Sequence, residues 1–409
     1  MWRYKLLLFI FFIPLVFYTL WQSIRQGEPR YFLQRLAVFF PARLPKNSLW
    51  FHAASVGEVN AVMPLIQYLQ QQHPGITITL STNTATGAQT AMKQFSGKIY
   101  HVYFPLDYAY AITRFLNALS PAACFIVETE IWPNLYNECF QHNIPLLIIN
   151  GRISDKTLYA PSWIKPVYKQ TLQKVTHVYA RSETDADRFI QLGLAKDKIT
   201  LLGNLKFVLP ETSDLNPLEL NRTFILAAST REDEEKLVVQ AWLSSEHADH
   251  LLVIVPRHPN RINDILQDLK FFNVNIAVRS KNDPVTEETK IYIADTIGEL
   301  KSFIHEAEFV IMGGSFVAKG GHNILEIAQA GKAVIFGEDM RNFSDEATLF
   351  LQHHAGIQCL DTKQLATSIT QLIKEPAQAS KLGENGFLLL SSAENILEEY
   401  NKQIKTYLA

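Results

Sequence analysis

Carboxylates follow two of the apolar runs in this sequence, at positions where acid–base chemistry is possible. Glu58 lies in HAASVGEVNA, directly after the run SLWF, and Glu128 and Glu130 lie in ETEIWPN, directly after ACFIV. A carboxylate held near a reacting hydroxyl can accept its proton. Glu58 also suits a plainer role, because an acidic side chain in the first turn of a helix complements the positive end of the helix dipole.

A glycine-rich segment, GGSFVAKGGHNILE at residues 313–326, follows the later apolar run EFVIM. Its glycines let the backbone pass close to a ligand, and the helix expected over residues 324–330 would direct its N–H groups at a phosphate. The carboxylate of Glu326, one turn into that helix, suits hydrogen bonds from ribose hydroxyls. The segment is neither a Walker A motif nor G-x-G-x-x-G, and glycines also occur in such turns for steric reasons alone.

Further polar segments follow other apolar runs: NGRIS, GNLKF, STREDEE and PRHPNR. The mainly acidic run REDEE, residues 231–235, suits the first turn of a helix capped by Ser229 or Thr230. Three histidines flank segments of this kind, and a histidine at a strand end serves more often as a hydrogen-bonding scaffold than as a catalyst; they are His52, His258 and His322.

The order of apolar and helical patterns predicts the fold. After residue 48, short apolar runs alternate with helical patterns, and the runs are apolar throughout, as in parallel strands covered on both faces. Residues 208–221 interrupt both periods with Pro, Asp and Asn. We therefore predict an α/β fold of two doubly wound, Rossmann-like parallel-sheet domains that face each other across a cleft, over residues 31–207 and 208–409. Ligands in such sheets gather at the carboxyl ends of the strands.

The beginning of the chain has a different character. Residues 6–21, LLLFIFFIPLVFYTLW, carry no charge but are short of the roughly 20 residues that a spanning helix needs. No small-residue cleavage site follows, which favours a retained anchor over a signal peptide. We expect a single-pass anchor over residues 1–30. The larger basic cluster follows the apolar segment and would keep the globular part in the cytoplasm; its members are Arg25, Arg30 and Arg35.

Composition excludes several other functions. The formal net charge is −2, from 38 basic and 40 acidic residues, so no overall charge favours nucleic acid as a partner. Cys124, Cys139 and Cys359 have no C-x-x-C spacing, which suits buried, reduced thiols. No HExxH motif and no His/Cys cluster of metal-ligand spacing is present. We therefore expect neither a metal nor a cofactor.

The polar segments together resemble one enzyme family, the Kdo (3-deoxy-D-manno-octulosonic acid) transferases of lipid A biosynthesis. The resemblance covers nearly the whole chain and rests on HAASVGEV, ETEIWPN, NGRIS, GNLKF, STREDEE, PRHPNR, DTIGEL, GGSF and GGHNILE, in this order behind one apolar segment. It implies a GT-B glycosyltransferase that moves Kdo with inversion from CMP-Kdo to a tetraacylated lipid A precursor, lipid IVA. The implied location is the cytoplasmic face of the bacterial inner membrane.

The resemblance also implies roles for particular residues. Glu58 corresponds to the catalytic base, and Glu128 and Lys206 to residues that assist the transition state. The first domain would take the acceptor and the second the CMP-sugar, with the CMP site formed by Pro256, Arg257, Ile297, Gly298, Glu299, Asn323, Ile324, Leu325 and Glu326. The sequence departs from the expected family pattern in lacking a proline after Glu326.

Transfer by a single displacement needs one base and a leaving group whose charge is stabilised. Because CMP leaves as a monophosphate, a helix N-terminus with Arg257 or Lys206 is able to take the place of a divalent cation. Two alternatives stay open. One is another GT-B nucleotide-sugar enzyme, such as a UDP-sugar glycosyltransferase or epimerase, and the other is a membrane-tethered nucleotide-binding protein without catalysis.

Overall fold

A computed structural model describes the chain except residues 1, 42–43, 96, 209–214, 216, 219, 221, 247–249, 392–394 and 409. Its two compact units are Met1–Val208 with Ala393–Ala409, here the first domain, and Leu209–Ser392, the second domain. The C-terminal boundary differs from the predicted 208–409, because the last helix packs on the first domain. Ile396, Tyr400 and Ile404 share one face of that helix and are buried in the first domain's core.

The first domain contains a parallel sheet of seven described strands in the order β3-β2-β1-β4-β5-β6-β7. The chain reverses its direction of growth between β1 and β4, so the crevice at their carboxyl ends is the topological switch point, where ligands bind in folds of this kind. The strands are β1 Leu49–His52, β2 Ile78–Thr82, β3 Tyr100–Tyr103, β4 Ala123–Val127, β5 Leu146–Gly151, β6 His177–Ala180 and β7 Ile199–Leu201.

Helices cover both faces of this sheet. Successive residues of a strand point to opposite faces, so Phe51 belongs to the core on one side and Trp50 to the core on the other. The helices are α1 Trp2–Gln26, α2 Pro29–Arg35, α3 Val56–Gln72, α4 Ala85–Phe95, α5 Ala109–Leu119, α6 Pro133–Gln141, α7 Asp155–Leu158, α8 Lys165–Leu172 and α9 Glu183–Gln191. The expected apolar helix is present as α1, and its stretch Tyr4–Gln26 has the length and composition to cross a membrane.

The second domain repeats this architecture with seven described strands in the order β10-β11-β9-β8-β12-β13-β14. The strands are β8 Phe224–Thr230, β9 Leu251–Pro256, β10 Ile276–Val278, β11 Ile291–Ile293, β12 Phe309–Met312, β13 Ala333–Phe336 and β14 Gly356–Gln358. The remaining helices are α10 Glu234–Leu243, α11 Ile262–Leu269, α12 Leu300–Glu306, α13 Leu325–Gln329, α14 Ser344–Gln352, α15 Thr362–Lys374, α16 Pro376–Ser391 and the last helix, α17 Ile396–Ile404.

Both sheets consist of parallel pairs, and their strands are almost entirely buried. The prediction of two doubly wound parallel sheets is therefore confirmed. The three cysteines are buried and form no disulfide bond with one another.

Candidate active site

Glu58 lies at the switch point of the first domain, at the start of α3. Ser55 caps this helix, since its Oγ accepts a hydrogen bond from the Glu58 N–H at 3.4 Å. The Glu58 carboxylate turns back toward the end of β1, where Oε2 accepts from the Ala54 N–H at 2.7 Å and Oε1 accepts from Ser55 Oγ at 3.1 Å. This reciprocal capping arrangement fixes the direction of the carboxylate.

The surroundings of Glu58 change its acidity. Burial first, and then the nearby carboxylates of Glu130 and Glu128, together raise the pKa of Glu58 to about 8, against the hydrogen bonds from Ala54 and Ser55. Burial and like charges both disfavour the ionised form. Glu58 therefore releases its proton close to the physiological range, as a general base requires.

Glu128 and Lys206 meet at the same edge of the sheet. Glu128 follows β4 directly and adopts a left-handed backbone conformation with φ of 59°. Lys206 Nζ lies 3.3 Å from Glu128 Oε1. The turn that carries Lys206 is held by Asn150, whose Oδ1 accepts from the Leu205 N–H at 3.0 Å. The structure thus brings together the three predicted catalytic residues, which are far apart in sequence.

Glu130, which the sequence placed beside Glu128 without giving it a role, belongs to this edge too, and so does Arg35, which the sequence did not identify as a site residue. Burial raises the pKa of Glu130, while the Trp132 indole N–H and the Arg35 guanidinium oppose that rise. Arg35 comes from α2 and donates from Nη1 to Asn83 Oδ1 at 2.8 Å and to the Phe104 carbonyl at 2.7 Å. Its only signal in the sequence was membership of the basic cluster after the apolar segment.

His52 has a structural role, which is the role that its position at a strand end favoured. It is fully buried, its Nδ1 lies 2.9 Å from Ser81 Oγ, and its ring packs 4.4 Å from that of Phe104. Burial lowers the pKa of His52 to about 3, so the ring is neutral at physiological pH.

Basic side chains gather at the carboxyl ends of β8, β9 and β12 in the second domain. Arg231 Nη1 lies 2.7 Å from His258 Nε2, and Arg231 Nε donates to His322 Nε2 at 3.4 Å. Burial first, and then the neighbouring Arg231, Arg257 and His258, together lower the pKa of His322 to about 4. His322 is therefore neutral at physiological pH, and the guanidinium groups of Arg231 and Arg257 supply the positive charge that favours an anion here.

The backbone of the glycine-rich segment is largely satisfied by the protein itself. The Glu234 carboxylate accepts from the N–H groups of Gly314 at 2.6 Å, Phe316 at 2.9 Å and Arg231 at 2.8 Å. A side chain on Gly313 is excluded, because its Cβ would lie 2.6 Å from the Ser229 carbonyl oxygen. The steric explanation therefore accounts for the first glycine pair, and any phosphate contact falls to residues 322–326.

The C-terminal part of that segment forms the short helix α13, which begins at Leu325. Asn323 Oδ1 accepts from the Leu325 N–H at 3.1 Å, and Asn323 Nδ2 donates to Glu326 Oε1 at 3.4 Å. Ile324 and Leu325 are buried in the domain, whereas Asn323 and Glu326 are half-buried and accessible. Of these four predicted residues, Asn323 and Glu326 offer polar side chains to a ligand.

The other predicted CMP residues follow the neighbouring strands β9 and β11. Pro256 ends β9, and the Arg257 N–H donates to the Thr230 carbonyl at 3.0 Å, leaving the Arg257 side chain exposed. Ile297 is 89% exposed in the loop after β11. Gly298 has φ of 98°, and the Glu299 carboxylate pairs with Arg279, which lowers its pKa. Among the described residues, no three His, Cys, Asp or Glu side chains cluster as metal ligands would.

Two solved structures share this fold. A glycosyltransferase from Rickettsia africae is 17% identical with a TM-score of 0.58, over 89% of this chain and 99% of that chain. The UDP-GlcNAc 2-epimerase of Neisseria meningitidis is 13% identical with a TM-score of 0.58, over 88% of this chain and 100% of that chain. At such identities the likeness concerns the fold alone, and it confirms the predicted GT-B class.

Sequence relatives are more specific. A family model for 3-deoxy-D-manno-octulosonic-acid transferase matches residues 30–209. The 3-deoxy-D-manno-octulosonic acid transferase of Haemophilus influenzae is 31% identical over 375 residues, which are 89% of this chain and 88% of that protein. Because this identity extends over most of both chains, the chain belongs to the 3-deoxy-D-manno-octulosonic acid transferase family of glycosyltransferases.

Proposed function

We propose that this chain transfers Kdo from CMP-Kdo to a lipid A precursor, lipid IVA, with inversion at the anomeric carbon. The observation that carries the proposal is the Glu58 carboxyl group at the switch point, with a pKa of about 8 and the Glu128–Lys206 ion pair at the same edge. In a single displacement, the acceptor hydroxyl gives its proton to Glu58 while its oxygen bonds to the anomeric carbon. The bond from that carbon to the phosphate oxygen breaks, and CMP leaves with the electron pair.

Glu58 suits this step because its direction is fixed before the acceptor arrives. The hydrogen bonds from Ala54 and Ser55 hold the carboxylate without consuming all its lone pairs. Lys206, oriented by Glu128, supplies a positive charge for the negative charge that develops on the reacting oxygens. Both effects are preorganised, so the site needs little rearrangement during the reaction.

The second domain is the proposed CMP site. The basic cluster of Arg231, Arg257, His258 and His322 supports phosphate binding, and the Glu326 carboxylate is accessible to ribose hydroxyls. The other proposed contacts are Pro256, Ile297, Gly298, Glu299, Asn323, Ile324 and Leu325. We propose that the guanidinium groups of Arg231 and Arg257 take the phosphate charge, so that transfer needs no divalent metal.

We place the enzyme at the cytoplasmic face of the bacterial inner membrane, held there by α1. The apolar stretch Tyr4–Gln26 supports this location, and a lipid acceptor requires it. The first domain would take the acceptor, since it carries both α1 and Glu58.

The test is transfer by the full-length protein in detergent, with CMP-Kdo and lipid IVA, followed by mass spectrometry of the lipid. We expect Kdo addition by the unaltered protein and a loss of at least about 100-fold in Glu58→Gln, because general-base catalysis contributes that much. CMP affinity, measured by calorimetry, should stay the same in Glu58→Gln, because the carboxylate acts on the acceptor. Consumption of UDP-GlcNAc in place of CMP-Kdo would assign the chain to another GT-B activity, and parallel loss of CMP binding would exclude Glu58 as the base.

A further inference from the structure

The beginning of α1 rests on the first domain. The Tyr4 hydroxyl donates to Asp107 Oδ2 at 2.7 Å, and the Tyr108 hydroxyl donates to the Leu8 carbonyl at 2.7 Å. One turn further, the rings of Phe12 and Tyr108 meet edge to face at 5.4 Å. Asp107 is itself part of the domain, because it accepts from the N–H groups at the start of α6.

The end of α1 is held to the same domain through α2. Thr19 and Ser23 are buried, with 2% and 5% of their surface exposed, and Ser23 Oγ donates to the Glu28 carbonyl at 2.8 Å. Helix α2 in turn is bound to β3, since Gln34 Oε1 accepts from the Tyr103 N–H at 2.7 Å. The less exposed residues of α1 form two groups on one side of the helix, one near its beginning and one near its end, while residues 9–14 between them are exposed; the two groups include Tyr4, Leu8, Leu15, Thr19 and Ser23.

These contacts are too far apart for a helix that crosses a bilayer. Tyr4 and Ser23 are 19 positions apart, which at 1.5 Å per residue is about 28 Å, nearly the whole hydrocarbon thickness of about 30 Å. If α1 crossed the bilayer with both contacts intact, the loop around Asp107 would lie within hydrocarbon. Irregular backbone and a buried carboxyl group are not tolerated there.

The opposite face of α1 is apolar and exposed. Four of its large side chains are more than 60% exposed: Phe9 80%, Ile13 64%, Phe17 66% and Ile24 72%. Elsewhere on the same domain Val38, Phe39 and Tyr110 are also exposed, and Arg114 links them by donating to the Val38 carbonyl and to the Tyr110 hydroxyl. Basic residues suited to anionic headgroups flank the stripe at both ends: Lys5, Arg25 and Arg30.

We infer that α1 lies in the plane of the membrane interface, with its inner face on the first domain and its outer face among the lipid acyl chains, and does not cross the bilayer. This replaces the single pass that the sequence predicted. Membrane binding by such a helix comes from buried apolar area together with attraction to anionic lipid. The Tyr4 end of α1 then stays on the same side of the membrane as both domains.

The in-plane position has a consequence for the acceptor. Helix α2 continues directly from α1 and places Arg35 at the carboxyl edge of the first sheet, beside Asn83 and Phe104. The edge that carries Glu58 is thereby held at the membrane surface, where a lipid acceptor presents its polar headgroup.

Depth measurements along the helix test the inference on the full-length protein. Single cysteines replace Leu6, Ile13 and Ile24 in turn, each carries a nitroxide, and the protein binds vesicles of phosphatidylethanolamine and phosphatidylglycerol at 3:1. An in-plane helix predicts three similar depths, within about 10 Å of the phosphates. A spanning helix predicts that Ile13→Cys lies deepest and that Ile24→Cys, about 16 Å further along the axis, lies near a surface.

A labelling experiment distinguishes the two arrangements without relying on depth. Lys5→Cys and, as a control in the second domain, Glu384→Cys are treated in right-side-out membrane vesicles with a maleimide that cannot cross the bilayer. We expect both to stay unlabelled until detergent is added. Labelling of Lys5→Cys alone before detergent, or a protein that fails to bind the vesicles, would overturn the inference. Neither readout depends on transfer activity, so the result is independent of the proposed function.

Discussion

Glu58 combines a structural and a chemical role in one side chain. As the third residue of a helix capped by Ser55 it stabilises the start of α3, and the same hydrogen bonds aim its carboxylate along the carboxyl edge of the sheet. The two interpretations of Glu58 in the sequence are therefore compatible. What separates an ordinary capping residue from a base is its acidity, which depends first on burial and then on the neighbouring carboxylates.

The pH dependence of transfer should reveal that acidity. Since the base must be ionised and the pKa of Glu58 is about 8, the rate should rise with pH through that value. Glu130→Gln removes a neighbouring negative charge that disfavours ionisation of Glu58, so the pKa of Glu58 should fall and the rising limb should move to lower pH. The measurement is the initial rate between about pH 5.5 and about 9, a range that brackets the raised pKa of Glu58 and extends toward the ordinary carboxyl value.

Glu183→Gln is the matched control for this experiment, because Glu183 is an exposed acid of the same domain, on α9, and does not affect Glu58. Its profile should match that of the unaltered protein. A limb that stays in place in Glu130→Gln would show that Glu130 does not act on the base.

Residues of the site differ in how far the sequence identified them. Glu58, Glu128 and Lys206 stand next to apolar runs, so their position at a sheet edge was predictable from local pattern. Arg35 was not, because its place depends on how α2 docks through contacts with Asn83 and Phe104, about 50 to 70 positions away. Local periodicity does not encode such contacts.

At the scale of elements, the contact between the loop after β12 and the start of α10 explains the glycines that follow β12. The sequence placed the acids of residues 231–235 in the first turn of a helix, but Glu234 is fully buried and accepts three backbone N–H groups. Burial raises its pKa, while those hydrogen bonds oppose the rise. A carboxylate of the chain thus occupies two amides of the glycine-rich segment, whereas the sequence assigned the phosphate to the N–H groups at the start of the helix that follows it.

Removing this carboxylate should destabilise the second domain. Glu234→Ala leaves three N–H groups without this partner, a buried one on Gly314 and part-buried ones on Phe316 and Arg231. Since an unpaired buried group costs about 1–3 kcal/mol, we expect the free energy of unfolding to fall by at least about 2 kcal/mol. Urea denaturation measures this fall. Glu232→Ala is the control, since Glu232 is exposed and its ion pairs with Arg261 and Lys319 are long, at 3.8 and 3.7 Å. Equal losses in the two variants would contradict the role given to Glu234.

At the scale of the whole molecule, the sequence predicted the two sheets well, but it did not predict where along the chain the second domain ends. Continuous apolar runs identify parallel strands because these are covered on both faces, and that pattern is local. The return of α17 to the first domain is a long-range event, decided by which core can bury Ile396, Tyr400 and Ile404. The helical pattern of the sequence predicts an apolar face on α17, but it does not predict which of the two cores that face packs against.

The returning helix also supports the candidate active site, and this leads to a prediction. Tyr400 is fully buried, and its hydroxyl accepts from the Asn150 N–H at 2.9 Å. Asn150 in turn accepts from Leu205, the neighbour of Lys206. Tyr400→Ala should therefore lower the free energy of unfolding of the first domain by about 3–5 kcal/mol, as loss of a buried aromatic side chain does, and should slow transfer by displacing Lys206.

Hydrogen exchange followed by mass spectrometry locates the effect. In Tyr400→Ala, exchange should accelerate in β5 and around residues 203–207, while β8 to β14 keep the protection of the unaltered protein, because Tyr400 belongs to the first domain's core. Lys402→Ala, an exposed change on the same helix, should leave both domains unaffected. If exchange accelerated instead in the second domain, α17 would belong to that domain, and Lys206 would depend for its position on the strands of the first sheet alone.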